Sequence, residues 1–201
     1  LPMPALARLD GFLDGYVIDR PMSARAAIEP LARLFAADIA AVASGLRVAG
    51  RGRGARLALA ADDLVPDRKG RSLTRTRAQE TELPRQIGIG FSDGEAQYRR
   101  ITAVSRRLDT TSRLEETAET TAVLSRHEGE RLADQLLQDV WSGREVAEFD
   151  LRPGLAALEC GDLVGFPDDA ASYLVTRIAD GAVRRCEARR VEPAIFEQVQ
   201  R

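Results

Sequence analysis

"IGIGFSDGEAQY", residues 87–98, decides whether this chain is organised around a nucleotide or around sheet. A dinucleotide loop needs its glycines spaced G-x-G-x-x-G. The first turns the chain, the second admits the pyrophosphate and the third lets a helix pack. Gly88, Gly90 and Gly94 read G-x-G-x-x-x-G, and no Lys-Ser or Lys-Thr follows, so a P-loop fails as well. What remains is alternation. Ile87, Ile89 and Phe91 are apolar with glycines between them, and Ser92-Asp93-Gly94 supplies residues that tolerate a turn. The stretch reads as a strand entering a hairpin, not as a cofactor site.

A chain of 201 residues suffices for one large domain or two small ones. Its 44% hydrophobic and 30% charged residues are those of an ordinary soluble globular protein. A net charge of −2 argues against a general nucleic-acid binder, which carries a basic excess. Lys69 is the only lysine among 29 basic residues, which reads as a GC-rich genome rather than as a set of phosphate forks. Cys160 and Cys186 are too few for a disulfide scaffold and read as two buried thiols, with a single bridge as the other option. No run approaches the roughly 18 apolar residues of a membrane span, and no signal segment opens the chain. It begins at Leu1, which suggests a piece of a longer polypeptide.

Working outward, the first third reads strand, helix, hairpin. Residues 11–19 alternate weakly. Ser23 is a candidate N-cap for a helix running to about Ala43, with Pro30 forcing a kink or a late start. Leu46–Ala49 and Ala55–Ala60 read as two strands joined by a glycine-rich turn over 50–54. Residues 66–84 are polar, mixed in charge and almost without large apolar side chains, so they read as a connector. After the opening hairpin, with 98–109 as its return strand, a Thr- and Glu-rich stretch ends in a short strand, Thr121–Leu124. Ser125 and Glu128 then spell a capping box. The helix after it carries Leu132, Leu136, Leu137, Val140 and Trp141 on one stripe and stops at Ser142-Gly143. Beyond Gly143 everything reads β: "REVAEFDL", a turn at Pro153-Gly154, and two short runs broken at Gly161-Asp162. A hairpin follows, with Asp180-Gly181 in a two-residue turn. The expected fold is α+β: two β-rich, barrel-like lobes, each with one main helix, over 1–65 and 85–201, joined by the connector 66–84.

Converging catalytic groups are missing from this reading. His127 is the only histidine and falls in the first turn of the capped helix, where a surface role is expected. Neither cysteine has a nucleophile context, and zinc would find too few ligands. Asp62-Asp63, Glu115-Glu116 and Asp168-Asp169 are adjacent pairs, which a strand would point to opposite faces, and they read as loop and linker acids. No catalytic, cofactor-binding or metal-ligating residue is assigned, and no cofactor is expected.

Three stretches together resemble a known family. They are "SARAAIEPLARLFAADIAAVASGLRV", "RAQETELPRQIGIGFSDGEAQYRRITAVSRR" and "SRHEGERLADQLLQDVWSGREVAEFDLRPGLAALECGDLVGF". Their order and spacing are similar to the large tail-hub proteins of siphophage-like tails, and most closely to the hub of bacterial gene transfer agents. The family tends to carry a proline where this chain has Cys160. The resemblance implies a non-enzymatic structural part of a tail tip or baseplate hub. It implies a homotrimer whose six lobes mimic sixfold symmetry and join a sixfold tail to the cell-piercing tip. A distal tail protein, other tip components and the tape-measure end would be its neighbours, and DNA would pass through non-specifically. The particle, phage or gene transfer agent, would be assembled in the bacterial cytoplasm. An upstream glycosidase-like barrel belongs to the same polypeptide in the gene-transfer-agent relatives. Two other classes compete: a peptidoglycan-acting enzyme domain, testable at Glu148 and Asp162, and a carbohydrate- or oligonucleotide-binding module. Aromatics at 5% weaken the last, because bases and sugars want stacking platforms.

Overall fold

The computed structural model describes residues 13–42 and 45–197, with the backbone alone at 5, 6 and 42. In chain order the elements are β1 (Ala5–Leu6), β2 (Gly15–Tyr16), α1 (Ala24–Leu34), β3 (Ala37–Val42), β4 (Gly45–Gly50), β5 (Arg56–Ala58) and β6 (Leu64–Val65). There follow β7 (Leu73–Arg77), β8 (Pro84–Asp93), β9 (Arg99–Arg106), β10 (Leu114–Leu124) and α2 (Arg126–Ser142). The last stretch holds β11 (Glu145–Leu151), β12 (Leu163–Gly165), β13 (Ser172–Asp180), β14 (Arg184–Val191) and α3 (Ala194–Glu197). The fold is α+β and gathers into two compact units. One takes β1, Ala37–Ala78 and residues 142–197; the other takes residues 13–36 and Gln79–Trp141.

The unit that holds the opening stretch is a four-stranded sheet in the order β2-β10-β8-β9. β8 and β9 are antiparallel, with Ile89 opposite Ala103, while β10 runs parallel to β8. Strand periodicity sends Ile89 and Phe91 to one face. There they pack with Ala103, Ala122 and Leu124, and with Leu34 of α1 and Leu132 and Ala133 of α2. α2 starts where the capping box says: the Ser125 N–H donates to Glu128 Oε2 at 3.1 Å, and the Glu128 N–H donates to Ser125 Oγ at 3.2 Å. Ser125→Ala is expected to cost about 1 kcal/mol, read as a lower urea midpoint at unchanged slope. Gly129 lies over Phe91 so closely that a β-carbon there would strike the ring. At the far end of α2, the Trp141 indole N–H donates to the Pro84 carbonyl at 2.8 Å, and the Arg107 guanidinium lies 4.3 Å from the ring centroid.

The other unit carries a sheet in the order β5-β12-β13-β14-β11-β6, with β7 also paired to β11, and a smaller sheet β1-β4-β3. Phe149, Phe166 and Tyr173 form an edge-to-face chain, each step 5.1 Å between centroids, inside the larger sheet. A register shift between Val175 and Arg177 puts a bulge in β13, the device by which a sheet bends and curls.

Several expectations change. The first helix ends at Leu34, not near Ala43, because Ala36 takes a left-handed φ of 44° and residues 37–42 pair with 45–50. The weak strand over 11–19 is two residues, Gly15–Tyr16, and Gly11, Phe12 and Ala43 lie outside the described residues. β4 and β5 are strands, but not each other's partners: β4 pairs with β1 and β3, and β5 with β12. The stretch read as a connector, 66–84, contains β7, paired with β11 over Leu73–Arg77. The units therefore interleave along the chain instead of dividing at 66–84. β10 is 11 residues long, where the sequence suggested only its apolar end. Leu155–Cys160 forms no strand; only Leu163–Gly165 does. In the β13–β14 hairpin Asp180 sits opposite Arg184, so the loop is Gly181–Val183 rather than a two-residue turn. The turn after β8 departs too: Gln97 and Tyr98, not Gly94, take the left-handed conformation, at φ 55° and 58°.

Candidate functional site

Three surface features carry most of the ionic chemistry. The first lies on β7. Arg75 grips Asp168 with both ends of its fork, at 2.8 and 2.9 Å, and stands 3.8 Å from Asp169 and 3.9 Å from Glu145. Its guanidinium also faces the rings of Phe166 and Tyr173 at 5.4 and 5.9 Å. The Tyr173 hydroxyl lies at hydrogen-bonding range of Glu145 and, at 2.8 Å, of Asp169. Burial, reinforced by the two carboxylates, pushes the Tyr173 phenol up. The Arg75 hydrogen bond holds Asp168 below the usual carboxylate range. The Ala171 N–H and then the Tyr173 hydroxyl do the same for Asp169. The cluster is a tie that docks β7 and the loop before β13 to the core.

The sign of its pH dependence follows. A carboxylate whose folded pKa is depressed contributes stability that is complete above its unfolded value, about 3.9, and is lost as pH falls through the folded value. Arg75→Gln removes the leading cause for Asp168, so its acid unfolding, followed by circular dichroism, is expected to set in at higher pH than in the wild type.

The second feature is a polar cavity of about 520 Å³ on the larger sheet. Glu148 and Asp150 of β11 and Arg185 and Glu187 of β14 line it, with Asp67, Arg71 and Arg177. Acids and bases interleave there, and Arg185 pairs with Asp150 at 3.5 Å. Among the described residues no group of three or more His, Cys, Asp or Glu side chains is placed to hold a metal ion.

The third is the outer face of the four-stranded sheet, opposite the helices. Its middle strand presents Gly88 and Gly90, and side chains from the flanking strands close over them. Thr102 and Thr117 approach a β-carbon at Gly88 to 3.2 Å, and the Glu119 carboxylate occupies the space above Gly90. Arg100 of β9 reaches across to Glu119 of β10 and also donates to the Thr120 carbonyl at 2.8 Å. Glu115 takes Arg85 at 2.5 Å and Arg106 at 3.7 Å, and the Arg85 hydrogen bond leads in holding its carboxyl below the ordinary range. Among the described residues β9 pairs with β8 alone, and β10 meets β2 over only Ala122 and Val123, so both flanks offer open strand edge.

The residues singled out from sequence scatter over these features. His127 lies in the first turn of α2. Glu148 lines the cavity. Asp162 does not, since it accepts Arg47 at 2.8 Å and caps the Glu159 N–H at 2.8 Å. Asp63 caps the Ala60 N–H at 2.8 Å, and Asp168 and Asp169 belong to the Arg75 tie. Glu115 and Glu116 stand in β10, not in a linker. Both cysteines are free thiols. Cys186 is buried, which pushes its pKa up to about 11, while Cys160 is only half-buried. Sequence offered Arg71, Arg75 and Arg77 only as a basic strip; the Arg75 tie and the Arg–Glu face were not visible in it, because their partners come from distant strands and, for Arg75, from the loop before β13.

Sheet dominates the chain, and most of the ionic groups described above are paired with one another. The family model described as "Putative phage tail protein" matches residues 23–179, and the chain belongs to that family of tail proteins. Its fold is similar to a chain of the virion of a native gene transfer agent particle, with a TM-score of 0.83 at 22% identity over 95% of this chain and 44% of that one. It is also similar to the 43 kDa tail protein of prophage MuSo2 from Shewanella oneidensis, with a TM-score of 0.60 at 15% identity over 96% of this chain and 62% of that one. A tail protein from Neisseria meningitidis MC58 has a TM-score of 0.55 at 12% identity, again over 96% of this chain and 62% of that one. The chain thus spans less than two thirds of each of these relatives. No curated protein matches the sequence.

Proposed function

We propose that this chain is part of a tail-tip hub: a homotrimeric ring that joins a sixfold tail to the cell-piercing tip and lets DNA through. The observation that carries the reading is the pair of sheet-bearing units, with open strand edges on the four-stranded sheet, because such edges are where copies of one chain add hydrogen bonds and close a ring. The tail-protein family and the likeness to a gene-transfer-agent virion chain support it. In this reading its neighbours are a distal tail protein, other tip components and the tape-measure end. Its location is the tail tip of a phage-like particle built in the bacterial cytoplasm. Its role is mechanical, and bond cleavage falls to other parts of the assembly.

The test is mass and shape. Light scattering on the purified chain should return a trimer, and averaged electron micrographs should show a threefold ring. A monomer at the highest soluble concentration, with no association with isolated tail tubes, would sink the reading.

A further inference from the structure

The outer face of the four-stranded sheet has a property that stability does not require. Its ion pairs are well exposed: the Arg100 and Glu119 side chains at 51% and 62%, Arg85 and Glu115 at 34% and 46%. Pairs so exposed contribute little to folding. Yet the backbone makes room for them, since Gly90 leaves open the space that the Glu119 carboxylate fills. The outcome is a strip with no side chain on its inner strand β8 at Gly88 and Gly90. Threonines 102 and 117 lie over Gly88, and Glu115 and Glu119 occupy three guanidinium groups.

A guanidinium fork recognises carboxylate and phosphate through the same geometry. We propose that Glu115 and Glu119 act as built-in phosphate surrogates: they fill the forks of Arg85, Arg100 and Arg106 so that double-stranded DNA moving past this face is not held. This rests on the hub reading above and deepens it by naming a surface that meets the DNA. Without the carboxylates, three arginines on one face, released from their ion pairs, would each exchange a counterion for a phosphate, and every such contact slows passage. With them the face keeps its charged groups, but its cations are already spoken for.

The experiment compares wild type, E115Q/E119Q, and a five-site variant that also carries R85Q, R100Q and R106Q. Each is first checked for an unchanged circular-dichroism spectrum. Binding of a fluorescent 30-base-pair duplex is then titrated against salt, and particles carrying the whole polypeptide are scored for ring formation and DNA delivery. The expected result is that E115Q/E119Q alone gains affinity, with a log–log salt slope near −3 from about 0.9 per freed guanidinium. Its particles should assemble normally but deliver DNA roughly tenfold less often, while the five-site variant returns to wild-type behaviour on both measures. No gain of affinity in E115Q/E119Q overturns the proposal. So does an equal gain in the five-site variant, or unchanged delivery despite tighter binding. If rings form and delivery is unchanged, only this proposal falls; if no ring forms in wild type, the hub reading falls with it.

Discussion

Phe91→Ala is expected to lower the unfolding free energy by about 3–5 kcal/mol, the range for truncating a fully enclosed aromatic. Phe91 is 0% exposed and sits at the centre of the cluster joining β8, β9 and β10 to both helices. The α2 backbone at Gly129 is pressed onto its ring, so the vacancy opens beneath a helix held at both ends: by its capping box and by the Trp141–Pro84 hydrogen bond. Such a site collapses poorly, which places the cost in the upper part of the range. Urea denaturation gives the magnitude. Hydrogen exchange locates it, with amides of β8–β10 and α2 losing protection first. An effect below about 1 kcal/mol would mean that this core is far looser than its burial says.

Tyr173 should show the second large effect, and two substitutions separate its parts. Tyr173→Ala removes the largest side chain that is fully enclosed among the described residues, together with its edge contact to Phe166, and should cost about 3–5 kcal/mol. Tyr173→Phe keeps the ring and loses only the hydroxyl that faces Glu145 and Asp169, which should cost about 1–2 kcal/mol. The Phe variant should also unfold at a higher pH in acid, because Asp169 loses one of the donors that hold its pKa down. If the two variants prove equally unstable, the hydroxyl and not the ring anchors β13.

What the sequence made legible was local chemistry. β8 with β9, the capped helix α2 and the β13–β14 hairpin were all readable, because each announces itself within about twenty residues through period, cap or turn. The misreadings are tertiary. Ala37–Val42 continues the helical pattern of α1, but its ladder with 45–50 outweighs that propensity, and no glycine marks the stop at Ala36. β7, "LTRTR", hides its strand character because it is polar and its Arg75 finds partners from β11 and the loop before β13. The polar half of β10 looks like a linker for the same reason, with Glu115 answering to Arg85 thirty residues away. The family was legible from three quoted stretches, whereas the ionic face was not, since it exists only after the strands have been laid side by side.

The interleaving of the two units has a consequence for how the protein is made. Among the described residues the polypeptide passes from one unit to the other between β1 and residue 13, and again at 36/37, 78/79 and 141/142. A ribosome that has released residues up to Trp141 has delivered every described strand and helix of the Phe91 unit. β11–β14, which carry the middle of the larger sheet, are then still inside the exit tunnel or not yet made. During that interval β5, β6 and β7 wait without their partners β11 and β12, exposed to whatever else in the cell offers a strand. Nascent chains stalled so that residues up to 142 have just cleared the ribosomal exit tunnel should therefore protect β8–β10 from protease while being cut readily between residues 45 and 78.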